Sequence, residues 1–206
     1  MRIESLTAKP DRVGRYLIRF DNGTTMRLYR QTVEDFGLYT GRELEHPELE
    51  KLRIAAGEMS AKMRAVRIVA ASGVSRADLR QRLIRKGEDP QQAQEAVDWM
   101  TDLNLVDDRQ TAEQIVNRCA ARGYGVARAK QMLYEKRIPQ CYWQDVLEDY
   151  PDQTEHIAVF LRTRLSAETD DRAQKRAIDA LLRRGHSYGQ IRSVMRQLDL
   201  DEFPED

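Results

Sequence analysis

One helical pattern recurs three times along this chain of 206 residues, and each copy carries a basic segment. In the first copy Leu79 and Leu83 lead into Arg85-Lys86-Gly87, followed by Ala93, Ala96, Val97 and Met100. In the second, Ala129 and Leu133 lead into Lys136-Arg137, followed by Trp143, Val146, Leu147 and Tyr150. In the third, Ala177 and Leu181 lead into Arg183-Arg184-Gly185, followed by Ile191, Val194, Met195 and Leu198. The last four positions of each copy are spaced i, i+3, i+4, i+7, the apolar face of a helix. The first step, Leu79 to Ala129, is 50 residues, and the second, Ala129 to Ala177, is 48. A period of this length means one supersecondary unit reused, with neighbouring units stacked on a shared core. The expected fold is therefore mainly α: three tandem three-helix repeats in an elongated array. Its long surface suits a large linear partner better than a small molecule.

The N-terminal segment reads differently. Val13, Tyr16, Leu17, Ile18 and Phe20 form a β-rich run, Asp21-Asn22-Gly23 breaks it, and 24–29 resumes β-branched and aromatic usage. Asn-Gly between two such runs is a strong hairpin signal, because both residues tolerate positive φ. Residues 2–8 offer a third strand, and a lone hairpin is marginal in water, so this unit is expected to pack on the helix that follows. A short helix over 31–36 closes at Gly37. From His46 the pattern is helical almost to the end. Pro47 fits the first turn of a long helix over 46–71, with Gly57 as its weak point. Ser75, Asp89, Asp107 or Asp108, and Ser187 are expected N-caps. Arg137 stands where the other two copies have Gly, so the turn of the second unit is expected to be built differently. The segments are then a β-hairpin unit with a short helix at 1–45 and the long helix plus first repeat at 46–106. The second repeat follows at 107–150, the third at 151–198 and an acidic tail at 199–206.

The formal net charge is zero, which argues against a purely non-specific coat on nucleic acid. The charges are nevertheless segregated. Between Arg76 and Lys86 there are five bases and one acid, between Arg162 and Arg196 nine bases and four acids, and the tail from Asp199 holds five acids and no base. Local asymmetry of this kind matters more than the sum. Cys119 and Cys141 are too few for a disulfide framework and lack metal spacing, so they are expected as small, partly buried side chains. No apolar leader or stretch of 18 apolar residues is present, and a soluble, cytoplasmic monomer is expected.

Signals for catalysis are weak. His46, His156 and His186 are far apart and none lies at metal spacing with another ligand. The chain has no phosphate-binding loop, nucleophile elbow or dinucleotide fingerprint. Gly123-Tyr124-Gly125 reads as a helix-to-helix linker, and Asp107-Asp108 as capping acids. No metal and no cofactor are expected, and the protein is not expected to be an enzyme. The basic helices carry more weight: three of them at equivalent positions can follow a phosphate backbone or meet the acidic side chains of a protein filament. Tyr124, Tyr134, Tyr142 and Tyr188 are candidates for stacking on bases, whereas Trp143 falls on the apolar stripe and is expected in the core. A helix-turn-helix regulator is a competing shape, but no unit has a recognition helix rich in Asn, Gln, Ser and Arg at its start.

The stretch Leu103-Asn-Leu-Val-Asp-Asp108, then Thr111-Ala112, Ala120-Ala-Arg-Gly-Tyr-Gly125 and Leu133-Tyr-Glu-Lys-Arg-Ile-Pro139 resembles the RecX family of recombination regulators. Typical members read L-x-[LF]-[IVL]-D-D-x-x-[YF]-A, R-x-x-[KR]-G-[YF]-G and L-x-x-K-G-I. The flanks agree: the hairpin with Asp21-Asn22-Gly23, Phe36-Gly-Leu-Tyr-Thr-Gly-Arg-Glu-Leu44, and Arg183-Arg-Gly-His-Ser-Tyr188. The resemblance runs from about residue 2 to 198, with Thr111 and Arg137 as departures. It implies a curved array of three-helix units that lies in the groove of the RecA–single-stranded-DNA filament. There it modulates, generally inhibits, ATP hydrolysis, strand exchange and filament growth, in DNA repair and SOS control. The contact set expected for such a ligand is Arg80, Arg82, Lys86, Arg122, Arg128, Lys130, Lys136, Arg183 and Arg184, meeting DNA phosphates, single-stranded or duplex, or acidic RecA surfaces. The competing reading is a stand-alone helical DNA-binding protein that acts without RecA.

Overall fold

The computed structural model describes residues 1–165 and 170–198. The acidic tail expected at 199–206 lies outside the described residues. The chain divides into two compact units, Met1–Val106 and Asp107–Asp206. The fold is mainly helical, with a three-stranded antiparallel sheet at its start.

In the first unit, β1 (Ile3–Leu6), β2 (Arg15–Phe20) and β3 (Thr25–Tyr29) pair in the order β1-β2-β3. Ile18 lies opposite Met26 and Arg15 opposite Tyr29, and β1 brings Ile3 beside Phe20 across an irregularity between Ile3 and Ser5. The period-2 alternation buries Ile18 and Phe20 and leaves Arg19 between them exposed. The turn departs from expectation. Only Gly23 is left-handed there, at φ +81°, and the Gly23 N–H donates to the Phe20 carbonyl at 2.9 Å. Asn22 accepts instead, from the Thr24 N–H at 3.0 Å and the Thr24 hydroxyl at 2.7 Å. A polar side chain that closes its own local turn removes the need for a second left-handed residue.

Ile18, Phe20 and Leu28 pack with Leu49 and Leu52 of the long helix α2 (His46–Ala71), after the short α1 (Arg30–Asp35). The hairpin's apolar face is thus covered by the helix that follows it in sequence. The far half of α2 packs with α3 (Arg76–Arg85) and α4 (Pro90–Asp102) around Ala61, Ala65, Leu79, Leu83, Ala96, Val97 and Met100. α2 runs unbroken through Gly57. A Cβ there would stand 2.3 Å from the far end of the Gln92 side chain of α4, a flexible neighbour that can give way. Ser75 and Asp89 cap α3 and α4 by accepting from the Asp78 N–H and from the Gln91 and Gln92 N–H groups.

The second unit contains α5 (Asp108–Ala121), α6 (Val126–Glu135), a 3₁₀ turn (Gln140–Tyr142), α7 (Trp143–Glu148), α8 (Thr154–Arg162), α9 (Asp171–Arg183) and α10 (Tyr188–Gln197). Its described residues form two hydrophobic clusters. One joins Ile115, Val116 and Cys119 to Ala129, Leu133 and Ile138; the other joins Ile157 and Leu161 to Leu181, Ile191, Val194 and Met195. Asp107 caps α5 and Ser187 caps α10, the latter in a complete capping box with Gln190. The stripe on α7 behaves unlike its counterparts. Val97 and Met100 of α4 and Val194 and Met195 of α10 are buried, whereas Trp143, Val146, Leu147 and Tyr150 are all half-buried. The helix is only six residues long, because Pro139 and the 3₁₀ turn delay its start. Trp143, expected in the core, therefore lies at its edge with its ring N–H donating to the Ile138 carbonyl at 3.1 Å. Cys119 is buried as a small apolar side chain would be, and Cys141 is exposed.

Candidate interaction surface

The three basic helices α3, α6 and α9 end in one and the same turn. A cation occupies each C-cap, Lys86, Lys136 and Arg184, and the next residue is left-handed: Gly87 at φ +89°, Arg137 at +55° and Gly185 at +87°. The N–H groups of Glu88, Ile138 and His186 reach back to the carbonyls of Leu83, Leu133 and Leu181 at 3.2, 3.0 and 3.2 Å. Those of Gly87, Arg137 and Gly185 reach the carbonyls of Ile84, Tyr134 and Leu182, each at 2.9 Å. Both bonds of a Schellman motif are present in every case, and they satisfy carbonyls the helix leaves over. The turn of the second basic helix, expected to differ, is the same turn held by an arginine in a conformation that disfavours L-residues by roughly 1–2 kcal/mol. Cations here also complement the negative end of the helix dipole.

The nine residues of the expected contact set fall into different environments. In the first unit Arg82 is half-buried and ion-paired with Asp78 at 2.8 Å, while Lys86 is exposed. Both line a cleft of about 510 Å³ that Arg15, Arg64 and Arg67 also line. Arg80 is two positions from Arg82, and residues so spaced on a helix do not face one another. In the second unit Arg122, Lys130 and Arg183 are exposed, and Arg128, Lys136 and Arg184 are half-buried. Arg128 donates to Gln131 at 2.8 Å and stands 3.9 Å from Glu135. Lys130 flanks an open groove of about 650 Å³ whose apolar wall is Val126, Trp143 and Leu147. The guanidinium of Arg184 lies 4.9 Å from the centre of the Phe160 ring, and that of Arg164 lies 4.2 Å from it.

The Gly123-Tyr124-Gly125 segment is more than a linker. The Gly125 N–H donates to the Arg184 carbonyl at 2.9 Å, and the Ala127 N–H to the Gly185 carbonyl at 3.3 Å. The turn before α6 and the turn before α10 are thereby hydrogen-bonded, which brings Arg122, Arg128 and Arg184 to one junction. His186, 4% exposed, lies within it and donates from Nε2 to the Gly123 carbonyl at 3.1 Å. Burial pushes its imidazole below the ordinary value of 6.5, and the nearby charges of Arg184 and His156 act in the same direction. The Tyr150 hydroxyl donates to the Tyr124 carbonyl at 2.7 Å, and burial raises its phenol to about 12. Burial likewise raises the Cys119 thiol above its ordinary value, as expected of an apolar rather than a reactive cysteine.

The sequence by itself does not mark Arg15, Arg64 and Arg67 as a site. Arg64 and Arg67 are three positions apart on one helix, a spacing that places both on one face. Nothing local ties either to Arg15 on the hairpin, or to Arg82 and Lys86 beyond the next turn. Among the described residues, no group of three or more His, Cys, Asp and Glu is placed to hold a metal ion. No described helix is long and apolar enough to cross a membrane.

A small sheet followed by packed helices, with cations gathered at helix ends and in a cleft, makes a mainly helical protein. The chain is 30% identical over 148 residues to the regulatory protein RecX of Xanthomonas axonopodis pv. citri (strain 306), covering 70% of this chain and 91% of that protein. It is 25% identical over 209 residues to the regulatory protein RecX of Clostridioides difficile (strain 630), covering 98% of this chain and 97% of that one. A crystal structure of regulatory protein RecX has the same fold, with a TM-score of 0.62 over 97% of this chain and 99% of that one at 19% identity. No family model matches the chain. The chain belongs to the RecX family of regulatory proteins.

Proposed function

We propose that this protein modulates the RecA recombinase, chiefly as an inhibitor, by binding the groove of the RecA–single-stranded-DNA filament. The observation that carries the reading is the recurrence of one cationic helix end, at Lys86, Lys136 and Arg184, each presented by the same turn. Cations repeated at equivalent places suit a partner that itself repeats, and a filament of identical subunits on a phosphate backbone is such a partner. The protein acts as a cytoplasmic monomer whose three tandem units engage more than one RecA subunit. Modest contacts in each unit then add up through effective concentration. The exposed members of the set, Lys86, Arg122, Lys130 and Arg183, are free to meet acidic side chains or phosphates without disturbing a core.

A titration of RecA ATPase on single-stranded DNA tests this reading. Substoichiometric addition of the protein lowers the rate, and an unchanged rate at equimolar protein overturns the proposal. A stand-alone DNA-binding protein would instead bind DNA tightly without RecA; the formal net charge of zero weighs against it.

A further inference from the structure

The cleft of the first unit carries an inference about which of the cations meet phosphate. Five of them converge on its volume of about 510 Å³ from three elements: Arg15 of β2, Arg64 and Arg67 of α2, Arg82 of α3 and Lys86 at the end of α3. Among the described residues, no carboxylate lines it. Three of the five charges are balanced from outside: Arg15 by Asp11, Arg64 by the buried Glu88 and Arg82 by Asp78, each pair at 2.8 Å. The other two are not. Arg67 donates from Nε to the Met63 carbonyl at 3.1 Å and from Nη2 to the Tyr29 hydroxyl at 2.9 Å, both neutral acceptors. Lys86 makes no ion pair among the described residues, and its own carbonyl accepts from Arg64. The cleft therefore keeps about two uncompensated positive charges, and one of them is a guanidinium already oriented by its neighbours.

The arrangement favours phosphate over carboxylate. A planar carboxylate is served by a single guanidinium, as Asp11, Asp78 and Glu88 each are here. A tetrahedral phosphate accepts from several directions at once, which matches cations arriving from a strand and two helices. Among the described residues the rest of the lining includes Val13 and Ile68 and no aromatic ring, so they offer a sugar an apolar wall and a base no stacking platform. Recognition of that kind follows the backbone and ignores sequence.

We infer that this cleft binds a backbone phosphate of single-stranded nucleic acid, with Arg67 and Lys86 as the binding groups and Tyr29 as the residue that positions Arg67. The inference deepens the reading of the protein as a ligand of a DNA-bearing filament and rests on it for the source of the phosphate. The shared chemistry, a phosphate group in the cleft, is common to free phosphates as well.

Anisotropy of a fluorescent oligothymidylate, titrated with the full chain at several salt concentrations, tests it. The double variant Arg67→Gln/Lys86→Gln binds at least about tenfold more weakly, and the slope of log K against log salt shrinks by about 1.4, two contacts at roughly 0.7 each for a single strand. Lys86→Gln alone, at an exposed helix end, keeps the fold and loses about half of that slope. Tyr29→Phe keeps the ring, leaves the salt slope and loses a few-fold in affinity. Wild-type affinity and slope in the double variant overturn the inference, as does failure of the wild-type protein to bind either oligothymidylate or inorganic pyrophosphate. Pyrophosphate raising the Tm of wild type but not of the double variant, with no oligothymidylate binding, keeps the phosphate site and assigns it to free phosphates. RecA ATPase run in parallel separates the two claims: lost oligothymidylate binding in the variant with no wild-type effect on RecA leaves the cleft standing and removes the regulatory reading. Inhibition of RecA together with unaltered oligothymidylate binding in the variant does the reverse.

Discussion

Gly125 and Gly185 meet backbone to backbone in the second unit. A Cβ on Gly125 would stand 2.0 Å from the Gly185 carbonyl oxygen, and one on Gly185 would stand 2.2 Å from the Arg128 nitrogen. Neither neighbour is a flexible side chain that could move aside, so the two turns approach as closely as they do only because both residues lack a side chain. Gly125 has no need of glycine for its φ; it is needed for space.

Gly125→Ala should therefore destabilise the protein by about 3 kcal/mol, at the upper end for overpacking, because backbone must shift to relieve the contact. Urea unfolding measures it as a lower midpoint. Gly57→Ala is the control: its Cβ meets only the Gln92 side chain, which can swing away, and the midpoint should barely move. Equal losses in the two variants would refute the spatial argument.

Arg137→Gly should stabilise the protein by about 1 kcal/mol, since glycine adopts the left-handed conformation without the penalty an arginine bears. Arg137 is exposed and its φ is +55°, so little packing is lost with the side chain. A rise in Tm is the expected readout. A fall would mean that the side chain contributes more than its backbone strain takes away.

Stability should depend on pH through His186. Its imidazole is lowered from 6.5 in the folded chain, first by burial, and Nδ1 is buried without a hydrogen-bond partner among the described residues. The unfolded chain thus takes up the proton first. The contribution of this group is complete above about pH 6.5 and is lost as pH falls from there through the depressed folded value. A Tm profile between neutral and mildly acidic pH should fall, and His186→Gln should flatten the part due to this residue. A wild-type profile unchanged by the substitution would assign the acid sensitivity elsewhere.

Alanine at Lys86, Arg122, Lys130 and Arg183 should leave the fold almost untouched, within about 0.5 kcal/mol for each exposed position. The same combined variant should need markedly higher concentrations to inhibit RecA ATPase. Wild-type inhibition by a variant whose circular dichroism and Tm are normal would place the contacts elsewhere on the surface.

Much of the local structure is legible in the residues because its causes are local. Ser75, Asp89 and Ser187 cap the helices that follow them, since a short polar side chain next to free N–H groups needs only a few neighbouring residues to act. Pro47 and Pro90 fall in the first turns of α2 and α4 for an equally local reason. The apolar spacing of α3, α4, α6, α9 and α10 marks their buried faces. The basic character of three helix ends is also plain in the chain, and those ends supply the cations on which the functional reading rests.

Other features depend on what residues distant in sequence do to one another. Arg137 holds the same turn as Gly87 and Gly185 because the Schellman hydrogen bonds and the burial of Ile138 outweigh about 1 kcal/mol of strain, a balance that a residue type alone does not express. Asn22 keeps an ordinary φ because its side chain found Thr24. Trp143 lies half-exposed because a short helix cannot bury its whole stripe, although its spacing matches that of buried stripes elsewhere. The cleft of Arg15, Arg64, Arg67, Arg82 and Lys86 has the same origin. Its members are spread from the hairpin to the end of α3, and they meet because the sheet lays its apolar face on α2 while α3 packs back against the same helix. Periodicity and capping, which act over a few residues, determined the helices and where their charges lie. Only the packing of those helices, a matter of distances between residues far apart in the chain, decided which charges share a site and which glycines had to be glycine.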